Sequence, residues 1–153
     1  MDEGYEIVYI EKPEEAAWET IGRGLQKFNI QHAGEEGFQR ICFALCSPNQ
    51  EIVGGALGEI YWEWLHLDLM WVKDEFRGRG YGHRLLLAME EEASKRGAKH
   101  VFLDTFSFQA PQFYLQYGYR VFGELADFPA GHRRFFLTKE LTAISSQTLK
   151  ANS

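Results

Sequence analysis

Hydrophobic positions along this chain follow two periods, and the period changes at glycines and prolines. Tyr5 to Ile10 reads as a first strand. Pro13 follows at a first-turn position, where a missing N–H costs nothing, and opens a helix from Glu14 to about Phe28. The polar, glycine-bearing stretch Asn29 to Gly37 reads as a loop or a short second helix. Ile41 to Leu45 reads as a strand. Ser47-Pro48-Asn49-Gln50 has turn chemistry and joins it to another, Glu51 to about Tyr61, as an antiparallel hairpin. Trp64 to Val72 is a fourth strand.

The clearest helix comes next. Leu85, Leu86, Met89 and Ala93 form one apolar stripe at helical spacing. Glu91 with Lys95, and Glu92 with Arg96, are i,i+4 pairs away from that stripe. Gly97 suits the position just past the helix end. Beyond it lie a strand from His100 to Thr105 and a short helix from about Gln109 to Gln116, stopped by Gly118. Tyr119 to Glu124 and Arg134 to Thr138 are two more strands, on either side of Pro129-Ala130-Gly131. The order is β-α-(α)-β-β-β-α-β-α-β-β, an α/β (α+β) chain with a mixed sheet of about seven strands. The long helix links the fourth strand to the fifth, and such a crossover implies that those two run parallel. Residues 1–141 are expected to form a single domain and residues 142–153 a frayed tail.

Composition narrows the class. At 45% apolar and 25% charged residues, the chain is an ordinary globular protein and not a disordered one. A single domain of this length buries roughly 68–70% of its unfolded surface, so it needs no disulfide or metal staple. Twenty-two acidic against 16 basic residues give a net charge of −6, which argues against nucleic acid and suits cationic partners such as amines. No run of 18 apolar residues marks a membrane span, and Met1-Asp2-Glu3-Gly4 is acidic without an apolar signal core. The expected location is the cytoplasm. Cys42 and Cys46 lie four apart on a strand, about 13 Å, too far for a bridge, and are expected to be two buried thiols. No metal-finger spacing or His-Glu-x-x-His motif occurs, so no metal is expected.

The segment after the fourth strand carries chemistry. Val72-Lys73-Asp74-Glu75-Phe76-Arg77-Gly78-Arg79-Gly80-Tyr81-Gly82-His83 runs from a strand, through a loop with three glycines, into the long helix. Glycines let backbone approach a ligand closely, and the free N–H groups of a helix N-terminus favour an anion. Arg77 and Arg79 add positive charge. A nucleotide P-loop would need Gly-Lys-Ser/Thr, and a dinucleotide fingerprint a third glycine where Leu85 stands. A glycine-rich turn with no ligand is the other reading that physics alone leaves open.

Arg77-x-x-Gly80-x-Gly82 at this junction resembles the acyl-CoA pyrophosphate loop of the GNAT superfamily of N-acetyltransferases, Arg/Gln-x-x-Gly-x-Gly/Ala. Ala110-Pro111-Gln112-Phe113-Tyr114-Leu115-Gln116-Tyr117-Gly118-Tyr119 is similar to a second family motif, Ala-x-x-Phe/Leu-Tyr-x-x-x-Gly-Phe/Tyr. The element order matches from Tyr5 to Leu141. The resemblance implies a mostly antiparallel sheet split in a V between the fourth and fifth strands, with acetyl-CoA in the split. It implies that backbone groups of Met70, Trp71 and Val72 pair with the pantetheine arm. It implies that Gly78, Arg79, Gly80, Tyr81 and Gly82 hold the pyrophosphate beside Arg77. An amine would attack the thioester directly in a ternary complex, and Tyr114 would protonate the departing thiolate.

Other positions stay open. His66 and Asp68 match places where some family members carry the residue that takes the amine's proton. They serve as that base or pair structurally with each other or with Arg77. Glu59 is a weaker candidate. Seven residues before the tyrosine the family often has Asn; here Ser107 stands there, with Gln109 close by. Trp62, Trp64 and Trp71 line a pocket for a cation or simply pack the hairpin. Glu63, Asp127 and His132 sit in loops that could reach an acceptor. The implied acceptor is a small cationic metabolite or antibiotic. A lysine or N-terminus of a protein is an alternative, and so is a non-catalytic acyl-CoA-binding module. Homodimerisation is possible, with Phe135 and Phe136 available for contact.

Overall fold

The computed structural model of the chain describes residues 3–12 and 15–142. They fall into two units, one ending at Glu36 and one starting at Gly37. Pro13 as a helix opener, and all of the expected tail except Thr142, lie outside the described residues.

The first unit contains helix α1, Glu15–Ala33. Trp18, Ile21, Leu25 and Phe28 recur along it at three- and four-residue spacing. The helix continues past Phe28 through the stretch expected to be a loop or second helix, because nothing from Asn29 to Ala33 breaks it. Gly34 ends it at φ +83°, with its N–H donating to the Ile30 carbonyl at 2.9 Å. Tyr5–Ile10 is not a strand. A strand exists only with a ladder partner, and no other strand lies among the described residues of this unit. Where about seven strands were expected, the described residues hold six.

The second unit is a sheet of those six strands: β1 (Gln39–Cys46), β2 (Ile52–Tyr61), β3 (Trp64–Val72), β4 (His100–Phe106), β5 (Arg120–Ala126) and β6 (Arg133–Glu140). Their order is β1-β2-β3-β4-β6-β5, and every neighbouring pair is antiparallel except β3 and β4. Helix α2 (Tyr81–Lys95) makes the expected crossover between that parallel pair, and the short helix α3 (Pro111–Leu115) follows β4. Leu85, Leu86, Met89 and Ala93 of α2 bury their stripe against Leu65, Leu67, Val101, Leu103 and Leu137 of the sheet. No helix among the described residues is long and apolar enough to cross a membrane.

Strand alternation overturns the expectation for the cysteines. Ile41 turns into the core under α2, so Cys42 and Cys46 point to the opposite face and are exposed, unbridged thiols.

Two irregularities open the sheet. The β2–β3 register jumps from Gly58↔Leu67 to Leu57↔Leu69, which leaves Asp68 as an extra, unmatched residue in a β-bulge. The parallel β3–β4 ladder lasts only three pairs, ending at His66↔Phe102. Beyond it the two strands part, and the β4-facing edge of β3 from Leu67 to Val72 has no strand partner among the described residues.

Gly58 holds this junction together. A Cβ there would stand 2.8 Å from the His66 carbonyl oxygen and 2.8 Å from the Met89 methyl carbon. Gly58→Ala is therefore expected to destabilise the fold by about 2 kcal/mol through overpacking, read as a lower urea midpoint. An unchanged midpoint would mean that the backbone at the bulge yields freely.

Candidate active site

Where β3 and β4 part, a cleft of about 790 Å³ opens. One wall is Leu67 to Val72 of β3, and the other is Asp104 and Thr105 of β4 with Phe108 to Ala110 beyond it. The loop into α2 closes one end, and Phe113, Tyr114 and Tyr117 of the α3 region line the cleft as well.

The loop end gathers features that suit an anion. Gly78 and Gly80 take φ values of +75° and +82°, which L side chains rarely adopt. Gly80 is the N-cap of α2 and offers no side-chain cap. The first intrahelical bond runs from Arg84 N–H to the Gly80 carbonyl, so the N–H groups of Tyr81, Gly82 and His83 have no acceptor within the helix. A Cβ added at Gly82 would meet the Phe113 ring at 3.4 Å, an ordinary van der Waals contact, so this position lies directly against α3. Arg77 braces the loop: its Nε donates to the Val72 carbonyl at 2.8 Å and its Nη1 pairs with Asp74 at 2.9 Å. Arg79 lies over the ring of Phe76, which lines the cleft, but does not line the cleft itself. Met70, Trp71, Val72, Arg77, Gly78, Gly80, Tyr81, Gly82 and Tyr114 all do.

Tyr114 lies on α3, half-buried, with Phe113 and Tyr119 edge-on to its ring at 5.1 and 5.7 Å. Burial, and secondarily the negative charge of Asp104, push its phenol up to about 12. It is therefore a protonated donor at any physiological pH. Behind it the Tyr119 hydroxyl donates to Glu90 at 3.4 Å, and Lys139 Nζ donates to the other Glu90 oxygen at 2.6 Å. Burial first, then the Glu90 charge and hydrogen bond, push the Tyr119 phenol up still further. Glu90 was not foreseen. The signal was available, since it sits one turn from Leu86 and beside Met89 on the apolar stripe, where a lone carboxylate needs a partner.

Asp68 and His66 are separated by the bulge. Asp68 lines the cleft, whereas His66 does not. The His66 ring stacks on Phe102 (4.6 Å, 7°), and its Nδ1 is 3.2 Å from Glu59 Oε1. Neither His66 nor Asp68 pairs with Arg77. Ser107 also faces elsewhere: its Oγ accepts the Arg133 N–H at 3.0 Å and its own N–H donates to the Arg133 carbonyl, tying the end of β4 to the start of β6. Gln109 lines the cleft in its stead. Its Oε1 accepts the Phe106 N–H at 2.8 Å and the Thr105 hydroxyl at 3.2 Å, which leaves the amide NH₂ as donor.

Of the three tryptophans only Trp71 lines the cleft; Trp64 stacks on His100 at 4.4 Å, and Trp62 sits in the turn at φ +46°. Glu63 pairs with Lys99. A second pair outside the sequence reading is Asp104 with Arg134, joined by two 2.8 Å contacts on the cleft's β4 side. Among the described residues no group of three or more His, Cys, Asp or Glu side chains is placed to hold a metal.

Residues 5–119 match the model of the family described as "Acetyltransferase (GNAT) family". A blasticidin-S acetyltransferase from Streptomyces morookaense is 40% identical over 97 residues, 63% of this chain and 71% of that protein. A crystal structure of an acetyltransferase from Bacillus cereus ATCC 14579 superposes with a TM-score of 0.82 at 33% identity, over 88% of this chain and 98% of that one. An acetyltransferase from Bacillus anthracis str. Ames, solved in complex with acetyl coenzyme A, shares the fold with a TM-score of 0.60 at 16% identity. It covers 67% of this chain and 63% of its own.

Proposed function

The chain belongs to the GNAT acetyltransferase family and is an acyltransferase, and from that premise we propose that it moves an acetyl group from acetyl-CoA to a primary amine in a ternary complex. The observation that carries this reading is the cleft between β3 and β4. It presents a strand edge with no strand partner among the described residues, a row of helix N-terminal N–H groups, and a phenol whose raised value keeps it protonated at physiological pH.

Each part has a task. The backbone of Met70, Trp71 and Val72 takes the amides of the pantetheine arm as an added strand would. The N–H groups from Gly78 to Gly82 hold the pyrophosphate, with Arg77 bracing their loop and Arg79 adding charge nearby. The amine nitrogen attacks the thioester carbon. A C–N bond forms, negative charge collects on the carbonyl oxygen, and a β3 N–H would donate to it. The C–S bond then breaks.

Tyr114 stabilises the departing sulfur. A thiol near 8.5 is a stronger acid than a phenol at about 12, so the hydrogen bond to the thiolate does most of this work. The proton lost by the attacking amine balances the one the thiol finally keeps. Asp68, in the cleft, is better placed than His66 to draw in a protonated amine and take that proton. His66, paired with Glu59, would act only through intervening water.

The acceptor is a small cationic molecule, with the antibiotic class favoured. A relative at 40% identity is named for blasticidin S, and the charge of −6 suits a cation. Free-thiol detection tests this with blasticidin S, a streptothricin-type antibiotic, a polyamine and a lysine peptide as acceptors. Release with an antibiotic, matched by one added acetyl group in its mass, is the expected result. Release only with the peptide would transfer the assignment to proteins.

The loop makes a separate prediction. Gly80→Ala forces a side chain into a left-handed conformation that costs about 1–2 kcal/mol. If the loop relaxes to avoid it, the N–H row is lost. Acetyl-CoA affinity by titration calorimetry should fall about 10-fold. Affinity equal to that of the unaltered protein would remove this loop from the binding site.

A further inference from the structure

Four rings gather at the end of β4: Phe106, its last residue, with Phe108, Phe128 and His132. Phe106 and Phe108 stack almost parallel, with centroids 5.3 Å apart at 6°. Phe128 tilts against Phe106 at 5.7 Å, and His132 meets Phe108 edge-on at 5.0 Å and 78°. The group is held in place from within the protein. The Arg134 guanidinium, anchored on Asp104, lies over Phe106 at 5.3 Å and Phe128 at 4.9 Å. The loop carrying Phe128 is closed by hydrogen bonds from Phe128 N–H to the His132 carbonyl and from His132 N–H to the Pro129 carbonyl.

Phe108 differs from its neighbours. Among the described residues no cation lies over it, it is 59% exposed, and it lines the same cleft as Asp68 and Tyr114. A phenylalanine left so open contributes only part of the stabilisation that full burial would give, so the fold has little need of it there. What it offers is exposed aromatic surface in the cleft that also holds Asp68 and Tyr114.

We propose that Phe108 is a stacking platform for the acceptor, and that the acceptor amine carries a planar, electron-poor ring. The inference rests on the acetyl-transfer reading and specifies its substrate. The face of a phenyl ring is the negative part of its quadrupole, so it prefers an electron-poor or protonated ring over a saturated one of equal area. Asp68, which has no ion-pair partner among the described residues, supplies the complementary charge for the amine in the same cleft.

Thiol release with acetyl-CoA tests this on 4-(aminomethyl)pyridine and cyclohexylmethylamine, with each rate expressed per concentration of neutral amine and corrected for its intrinsic reactivity with a thioester in solution. The unaltered protein should favour the pyridine amine in kcat/KM by about 10-fold, chiefly through KM. That ratio should fall to near one in both Phe108→Ala and Phe108→Leu. Leucine keeps apolar area without a π face, so a ratio that survives in Phe108→Leu overturns stacking. So does a ratio near one in the unaltered protein. Release from neither amine also overturns the proposal, and calorimetry then locates the failure. Intact acetyl-CoA binding would fault the choice of acceptor, whereas no binding would fault the transfer reading beneath it.

Discussion

Tyr114→Phe should lower kcat by about 100-fold while leaving acetyl-CoA affinity within about twofold, since removing a positioned acid typically costs 10²–10⁴. The ring stays, and with it the edge-on contacts to Phe113 and Tyr119, so the fold and the cleft wall are preserved. Only the hydrogen bond to the departing sulfur is lost. Thiol-release kinetics beside calorimetric binding separate the two quantities. An unchanged kcat would exclude Tyr114 from the chemistry, and a parallel loss of binding would make it a cofactor contact. The raised phenol value adds a pH signature. The fold favours the neutral form, so its contribution to stability is complete below pH 10 and is lost as the pH rises from 10.0 through about 12. A kcat profile should accordingly show no falling limb from Tyr114 below about pH 10.

Glu90→Ala should cost on the order of 3 kcal/mol of stability, the scale seen when one partner of a poorly hydrated ion pair is removed. Glu90 is 7% exposed and accepts hydrogen bonds from both Lys139 and Tyr119. Without it an ammonium and a phenol are left facing apolar surroundings, and a cavity opens between α2 and β6. Glu90→Gln keeps an acceptor oxygen and should recover more than half of the loss. Urea unfolding measures both. A loss under about 1 kcal/mol for Glu90→Ala would show that Lys139 turns out to solvent and that the network contributes little.

Much of the second unit was legible in the sequence because its signals are local. The stripe of Leu85, Leu86, Met89 and Ala93 defines α2, and the polar turn at Ser47–Gln50 sets the β1–β2 hairpin. The crossover fixes the parallel β3–β4 pair. The six-stranded, mostly antiparallel sheet bears out the expected architecture apart from one strand. Tyr5–Ile10 fails because composition makes a segment able to pair but supplies no partner. The cysteines came out exposed because alternation assigns faces without saying which face is covered.

The site divides in the same way. Backbone requirements left marks in the sequence: the glycines at 78 and 80 mark a loop whose positive φ values favour them. Side-chain direction did not. Counting by twos along β3 puts His66 and Asp68 on one face, but the bulge at Asp68 breaks that count and only Asp68 reaches the cleft. Ser107 occupies the expected position yet is turned to Arg133 by the β4–β6 junction, and Gln109 lines the cleft. Glu90 with Lys139, and Asp104 with Arg134, join residues 49 and 30 positions apart. No spacing rule brings such pairs together before the fold does.

Hydrogen–deuterium exchange of the full chain, with and without saturating acetyl-CoA, tests the central claim most directly. The β4-facing edge of β3 and the N-terminus of α2 are the proposed contacts. Slowed exchange should therefore concentrate at the amides of residues 69–73 and 78–84. Saturating acetyl-CoA that left both segments unchanged, or protected a different part of the sheet, would contradict the assignment of this cleft.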